Sequence, residues 1–117
     1  MAENLQRRQF SRVTVSLPAS FTVEGNGNTE AHDGSIIVLG EGGARLVSSA
    51  HAPASSSVHV HFKVPSSDRD ISAYGHVVLS FYSATEDKYH HGIAFTSVET
   101  KDREAISAYV ESQTARR

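Results

Sequence analysis

Residues 58–64 read Val58-His59-Val60-His61-Phe62-Lys63-Val64, four apolar side chains alternating with three polar ones, and Pro65 ends the run. A period of two puts the two sets on opposite faces of an extended chain, so this segment is a strand with one face in a core and the other in water. The same period recurs on both sides of it. Val13, Val15 and Leu17, then Phe21 and Val23 beyond Pro18, form one such series, and Ile71, Ala73, Gly75, Val77, Leu79 and Phe81 form another. Ile36 to Leu39 is a continuous apolar run ending in Gly40-Glu41-Gly42-Gly43, after which Ala44 to Val47 resumes the extended pattern. That order reads as a hairpin with a glycine-built tip. Gly25-Asn26-Gly27-Asn28 has turn composition, the small polar stretch Ser48 to Ser57 reads as a surface loop, and Gly92-Ile93-Ala94-Phe95 opens a last short strand. Six or seven strands result.

Only near the C-terminus does the period change. Ile106, Tyr109, Val110 and Gln113 fall at i, i+3, i+4 and i+7, the spacing of one helix face. Thr100 or Asp102 is placed to cap that helix. Asp102 and Glu104 lie near its positive end, and Arg116 and Arg117 near its negative end. Consecutive strands with tight connections and no helix between them predict an antiparallel sheet closed into a small barrel, with the helix plugging or flanking one opening. A chain of 117 residues is enough for one domain, divided here into an N-terminal arm, 1–12, and a barrel with its helix, 13–117.

Eleven Lys and Arg against thirteen Asp and Glu leave a formal charge of -2, which is not the footprint of a protein that binds long nucleic acid. No apolar run approaches the roughly 20 residues of a spanning helix, so a soluble, cytoplasmic protein without membrane insertion is expected. The chain has no cysteine, which excludes disulfides, thiolate metal sites and cysteine nucleophiles.

The chemistry concentrates in Arg7-Arg8-Gln9-Phe10-Ser11-Arg12, three guanidiniums just ahead of the first alternating segment. An arginine fork matches a phosphate or the O6/N7 edge of a guanine, and its charge does not depend on pH. Such a run is also compatible with a solvated tail. His59 and His61 share a strand face and His90 and His91 are adjacent, yet a zinc site needs three or four converging ligands, so no metal is assigned. Serine, histidine and aspartate occur without a nucleophile elbow or an ordered triad, and no catalytic residue is assigned. Gly40-Glu41-Gly42-Gly43 lacks the Lys-Ser/Thr and the strand-to-helix context of a nucleoside-triphosphate loop.

Taken in order, Arg8-x-x-x-Arg12, Glu41-Gly42-Gly43-Ala44-Arg45-Leu46, Gly75-His76-Val77-Val78, Gly92-Ile93-Ala94-Phe95 and a final helix opening Asp102-Arg103-Glu104 resemble a PilZ domain over almost the whole chain. The resemblance implies a six-stranded antiparallel barrel with a C-terminal helix and a role as receptor for the bacterial second messenger cyclic di-GMP. It assigns guanine edges and phosphates to Arg8 and Arg12, with Arg7 as a candidate third contact. The family's second motif, Asp/Asn-x-Ser-x-x-Gly, aligned on Gly43, falls on Val38, Gly40 and Gly43, so only the glycine survives. Each guanine donor left without an acceptor costs on the order of 1–3 kcal/mol, roughly ten- to hundredfold in affinity. Glu41 and the backbone N–H groups of the glycine tip are the local substitutes.

A literal Asp33-Gly34-Ser35 lies upstream, but threading the motif there puts Val38 where the glycine belongs and breaks the strand-to-turn register. Asp33 and Ser35 read instead as ending a turn. Two functions follow from the resemblance. One is a non-catalytic cyclic di-GMP adaptor that orders its arm on the ligand and signals to a protein partner, in motility, pili or exopolysaccharide. The other is a degenerate domain that ignores the nucleotide and acts as a constitutive protein-interaction module.

Overall fold

A computed structural model of the protein describes residues 11–24, 30–65 and 67–115. Its strands are β1 (Arg12–Val23), β2 (Ala31–Gly40), β3 (Gly43–Ser48), β4 (Ser57–Val64), β5 (Arg69–Ser83) and β6 (Lys88–Val98), followed by one helix, α1 (Thr100–Ala115). All neighbours are antiparallel, and the order β1-β2-β3-β6-β5-β4 closes into a barrel. Closure follows because β1 pairs β2 on one side and β4 on the other. Pro18, which lacks a donor, sits just ahead of the β4 ladder, whose first pair is Ala19 with Phe62.

β4 behaves as its alternation predicts. Val58, Val60, Phe62 and Val64 are buried, and His59, His61 and Lys63 point outward. In α1 the expected face is the buried one, with Ile106, Tyr109 and Val110 packed into the same core as the strands. The helix packs against β5, β2, β1 and β4. Asp102 does more than sit near the helix start. It is 3% exposed, and its carboxylate accepts from Arg69 Nε at 2.6 Å and from the Ser72 N–H at 3.2 Å. A buried carboxylate with one cationic and one backbone donor is a satisfied group, and here it ties the first turn of the helix to β5.

Several elements depart from the sequence reading, each for a local reason. β1 begins at Arg12, one residue into the expected arm. Asp33 and Ser35 lie inside β2, opposite Ser20 and Pro18 of β1, and end no turn. β6 begins at Lys88 and runs for 11 residues, because Lys88 to His91 pairs with Ser83 to Ser80 as a hairpin before the apolar residues are reached. Leu79 and Phe81 are not core residues. A register shift between Val77 and Leu79 reverses the facing of β5, leaving them 44% and 43% exposed. Gly25 to Asn28, Arg116 and Arg117 lie outside the described residues.

The same shift turns Ser80 inward opposite His91, which the unbroken alternation of β6 with Ile93 already faces into the core. His91 is fully buried. Its Nε2 accepts from the Ala52 N–H at 3.1 Å, which leaves the ring proton on Nδ1 to donate to the Leu46 carbonyl, also at 3.1 Å. This neutral ring holds the loop after β3 against the barrel, and burial pushes its pKa below the ordinary 6.5. A histidine buried neutral stabilises the fold above its unfolded pKa. That contribution is lost as pH falls below 6.5 toward the depressed folded value.

Two outcomes follow. Ile106→Ala, at a fully buried site, lowers unfolding free energy by about 2–5 kcal/mol in urea titrations. The urea midpoint of the unmodified protein falls as pH drops from about 7 to about 5, and His91→Gln flattens that slope.

Candidate functional site

The first residues of β1 lie against the last residues of β2, pairing Arg12 with Gly40, Val13 with Leu39 and Thr14 with Val38. Across β2, Val38 faces Arg45 and Leu39 faces Ala44. Directly paired residues share a face, and Leu39 and Ala44 are buried inside the barrel. Arg12, Thr14, Val38, Gly40 and Arg45 therefore lie on the outer face. A register shift between Ile36 and Val38 makes this possible. Without it, Ile36 and Val38 would face the same way, and both would point into the core.

Gly40 is buried beneath the arm of Arg12. A Cβ there would lie 2.7 Å from Arg12 Cγ and 2.8 Å from the Ser11 carbonyl oxygen. The arginine stem thus occupies the space into which a residue 40 side chain would project. Gly43 is constrained from the other side, since a Cβ there would lie 2.2 Å from the Ile93 carbonyl oxygen. Between them Glu41 is half-buried at the hairpin tip, which is held to β6 by a hydrogen bond from the Phe95 N–H to the Gly42 carbonyl, 2.9 Å.

The result is an uncharged floor of Val38 and Gly40 between two cations. Arg12 is exposed and Arg45 half-buried. Their strands lie two spacings apart and Arg12 is two residues along from Thr14, which shares Arg45's row, so their backbones are about 12 Å apart. Among the described residues no carboxylate lies within ion-pair distance of either. Both forks are therefore available to an anion or a guanine edge. Arg7 and Arg8 lie outside the described residues. Arg45 was absent from the sequence-level site, because only the strand register tells that it stands beside Val38.

Other candidates separate from this face. Asp33 and Ser35 pair with Ser20 and Pro18, on the order of 20 Å along β2 from Gly40. The motif aligned on Gly43 is the one in register with Arg12. A groove of about 580 Å³ lies beside that distant half of β2, lined by Asp33, Ser35, Ser48 and Lys88 among others. His59 Nε2 meets Ser72 Oγ at 2.6 Å, a nucleophile–base distance. Among the described residues no carboxylate orients the ring. His59 stacks on Tyr74 at 3.9 Å, and burial, reinforced by His61, lowers its pKa. Among the described residues no group of three or more histidines or carboxylates is arranged to hold a metal ion. No described helix is long and apolar enough to cross a membrane.

Comparison with known proteins agrees with this architecture. The family model for the PilZ domain matches residues 6–112. Among solved structures, the Bacillus subtilis inhibitor of motility MotI/DgrA superposes with a TM-score of 0.81 at 18% identity, over 96% of this chain and 53% of that one. The chain thus spans about half the length of MotI. The PilZ domain of Escherichia coli YcgR, solved with c-di-GMP, gives 0.66 at 11% identity, covering 95% of both chains. The PilZ domain of CeSA from a cellulose-synthesizing bacterium gives 0.63 at 10%, over 89% of this chain and 98% of that one. No curated protein matches the sequence.

The seat of Arg12 is open to a direct check. Gly40→Ala lowers unfolding free energy by about 1–3 kcal/mol through overpacking. Combining it with Arg12→Ala recovers part of the loss, measured by a double-mutant cycle in urea, because one of the two collisions is then removed.

Proposed function

The chain belongs to the PilZ domain family, and from that premise we propose that it is a non-catalytic adaptor responsive to cyclic di-GMP. The observation that carries this reading is the pair Arg12 and Arg45, two guanidiniums on one outer face with an uncharged strip between them. Arg12 and Arg45 bind the ligand's phosphates and the O6/N7 edges of its guanines, and Arg7 and Arg8 close over it from the segment ahead of β1. Gly43 and the neighbouring tip offer backbone N–H groups to a phosphate, and Glu41 is the carboxylate available to a guanine N–H. A ligand shared between the residues before β1 and the hairpin fixes the two together as an arm and its seat, a new surface for a protein partner. The c-di-GMP in the YcgR PilZ structure and the motility inhibition named for MotI support this class of role.

A second reading rests on its own observation. Val38 stands where the family motif carries an acceptor, and the space beside Gly40 is filled by Arg12. A domain so altered works as a constitutive protein-interaction module that ignores the nucleotide.

Calorimetric titration separates the two. The adaptor reading expects micromolar or tighter binding of cyclic di-GMP, weakened at least tenfold by Arg12→Ala and by Arg45→Ala, each of which removes a charge-assisted fork. It also expects Val38→Asp to tighten binding about tenfold or more, by restoring an acceptor for guanine N–H groups. Absence of heat at high micromolar ligand, with no amide shifts around Arg12 and Arg45, decides for the constitutive module.

A further inference from the structure

β5 outruns its neighbour on one side. It pairs β4 only from Arg69 to His76, while its pairing with β6 continues to Ser83. The Val77 N–H and carbonyl are taken by the loop residues Ser56 and Ser55, at 2.9 and 2.7 Å. Beyond Val77, among the described residues, no strand covers this edge. Open edges are ordinarily blunted by charges, proline or a covering loop, because their free N–H and C=O groups template another strand. This one is not. From Ser72 to Thr85 the sequence holds no Asp, Glu, Lys, Arg or Pro. Its side chains are instead Val78, Leu79, Phe81 and Tyr82, exposed by 59, 44, 43 and 49%. Phe81 is already held in place by stacking on His90, 4.9 Å between ring centres.

We propose that the β5 edge from Val78 to Ser83 pairs antiparallel with the same edge of a second copy of this chain. Two features of the edge select a second copy. An antiparallel ladder about a two-fold axis is self-complementary, so each copy supplies what the other lacks. Centred on Ser80, the axis sets Leu79 of one copy opposite Phe81 of the other, and Val78 opposite Tyr82, and each pair occurs twice. These are the aliphatic–aromatic cross-strand pairs that stabilise sheets. With no charged residue between Ser72 and Thr85, the symmetric pairing brings no like charges together. Leu79 and Arg45 share a row across Gly92 of β6, so the paired edge borders the face that carries Arg12 and Arg45.

Sedimentation velocity from low to high micromolar concentration tests this with the whole chain. The unmodified protein shifts from monomer to dimer with rising concentration. Leu79→Lys and Phe81→Glu, at exposed sites, each stay monomeric while keeping their dilute melting temperature. Mixing the two variants restores a dimer, since the two-fold register then sets one lysine against one glutamate and leaves one native Leu79–Phe81 pair. A protein that remains monomeric throughout overturns the proposal. So does a dimer that survives both single substitutions, or one that the mixture fails to restore.

Discussion

Everything in this molecule hangs on β1 pairing with two strands at once. Its second half, from Ala19 to Val23, takes β4 on one side while its whole length takes β2 on the other, and that double pairing turns a six-stranded sheet into a barrel. With the sheet closed, alternate side chains have one interior to share, and Phe21, Ile36, Leu46, Val60 and Ile71 meet there at 1% exposure or less. The first half of β1 has no β4 partner and extends along the end of β2. For that reason the stem of Arg12 comes to lie over Gly40 while the residue stays exposed.

The candidate site is a by-product of this overlap combined with an irregularity. A residue inserted in β2 between Ile36 and Val38 rotates the rest of the strand, so that Leu39 points inward and Val38 outward. The outer face then carries Arg12, Val38 and Arg45 in adjacent rows. On that face Val38 and Gly40 supply neither a side-chain acceptor nor a hydroxyl between the two arginines.

Two buried polar groups fix the parts that hydrophobic contact alone would leave loose. Asp102 clamps the helix to β5 through Arg69 and the Ser72 amide, and His91 joins β3, β6 and the following loop through a single tautomer. Each is fully partnered, which is the condition for a polar group to stabilise a core.

Much of the fold was legible in residue order. The alternation in β4, the glycine tip after Leu39 and the helical spacing of Ile106, Tyr109 and Val110 each encode a local period, and a local period needs no knowledge of the rest of the chain. The arginine run and the valine at position 38 were equally visible, being matters of residue type. Facing and register were not. Ile36-Ile37-Val38-Leu39 is apolar throughout, so nothing in it says which residue turns outward, and Leu79 and Phe81 continue an alternation that a bulge silently reverses. Lys88 and His90 look like loop residues until β5 supplies their partners, and His91 looks like a surface histidine until Ala52 and Leu46 supply its bonds. Composition and periodicity located the core of most strands and the one helix. The pairing of strands distant in sequence, with a bulge at each change of face, decided which side chains meet, because a register shift of one residue moves every later side chain to the opposite face.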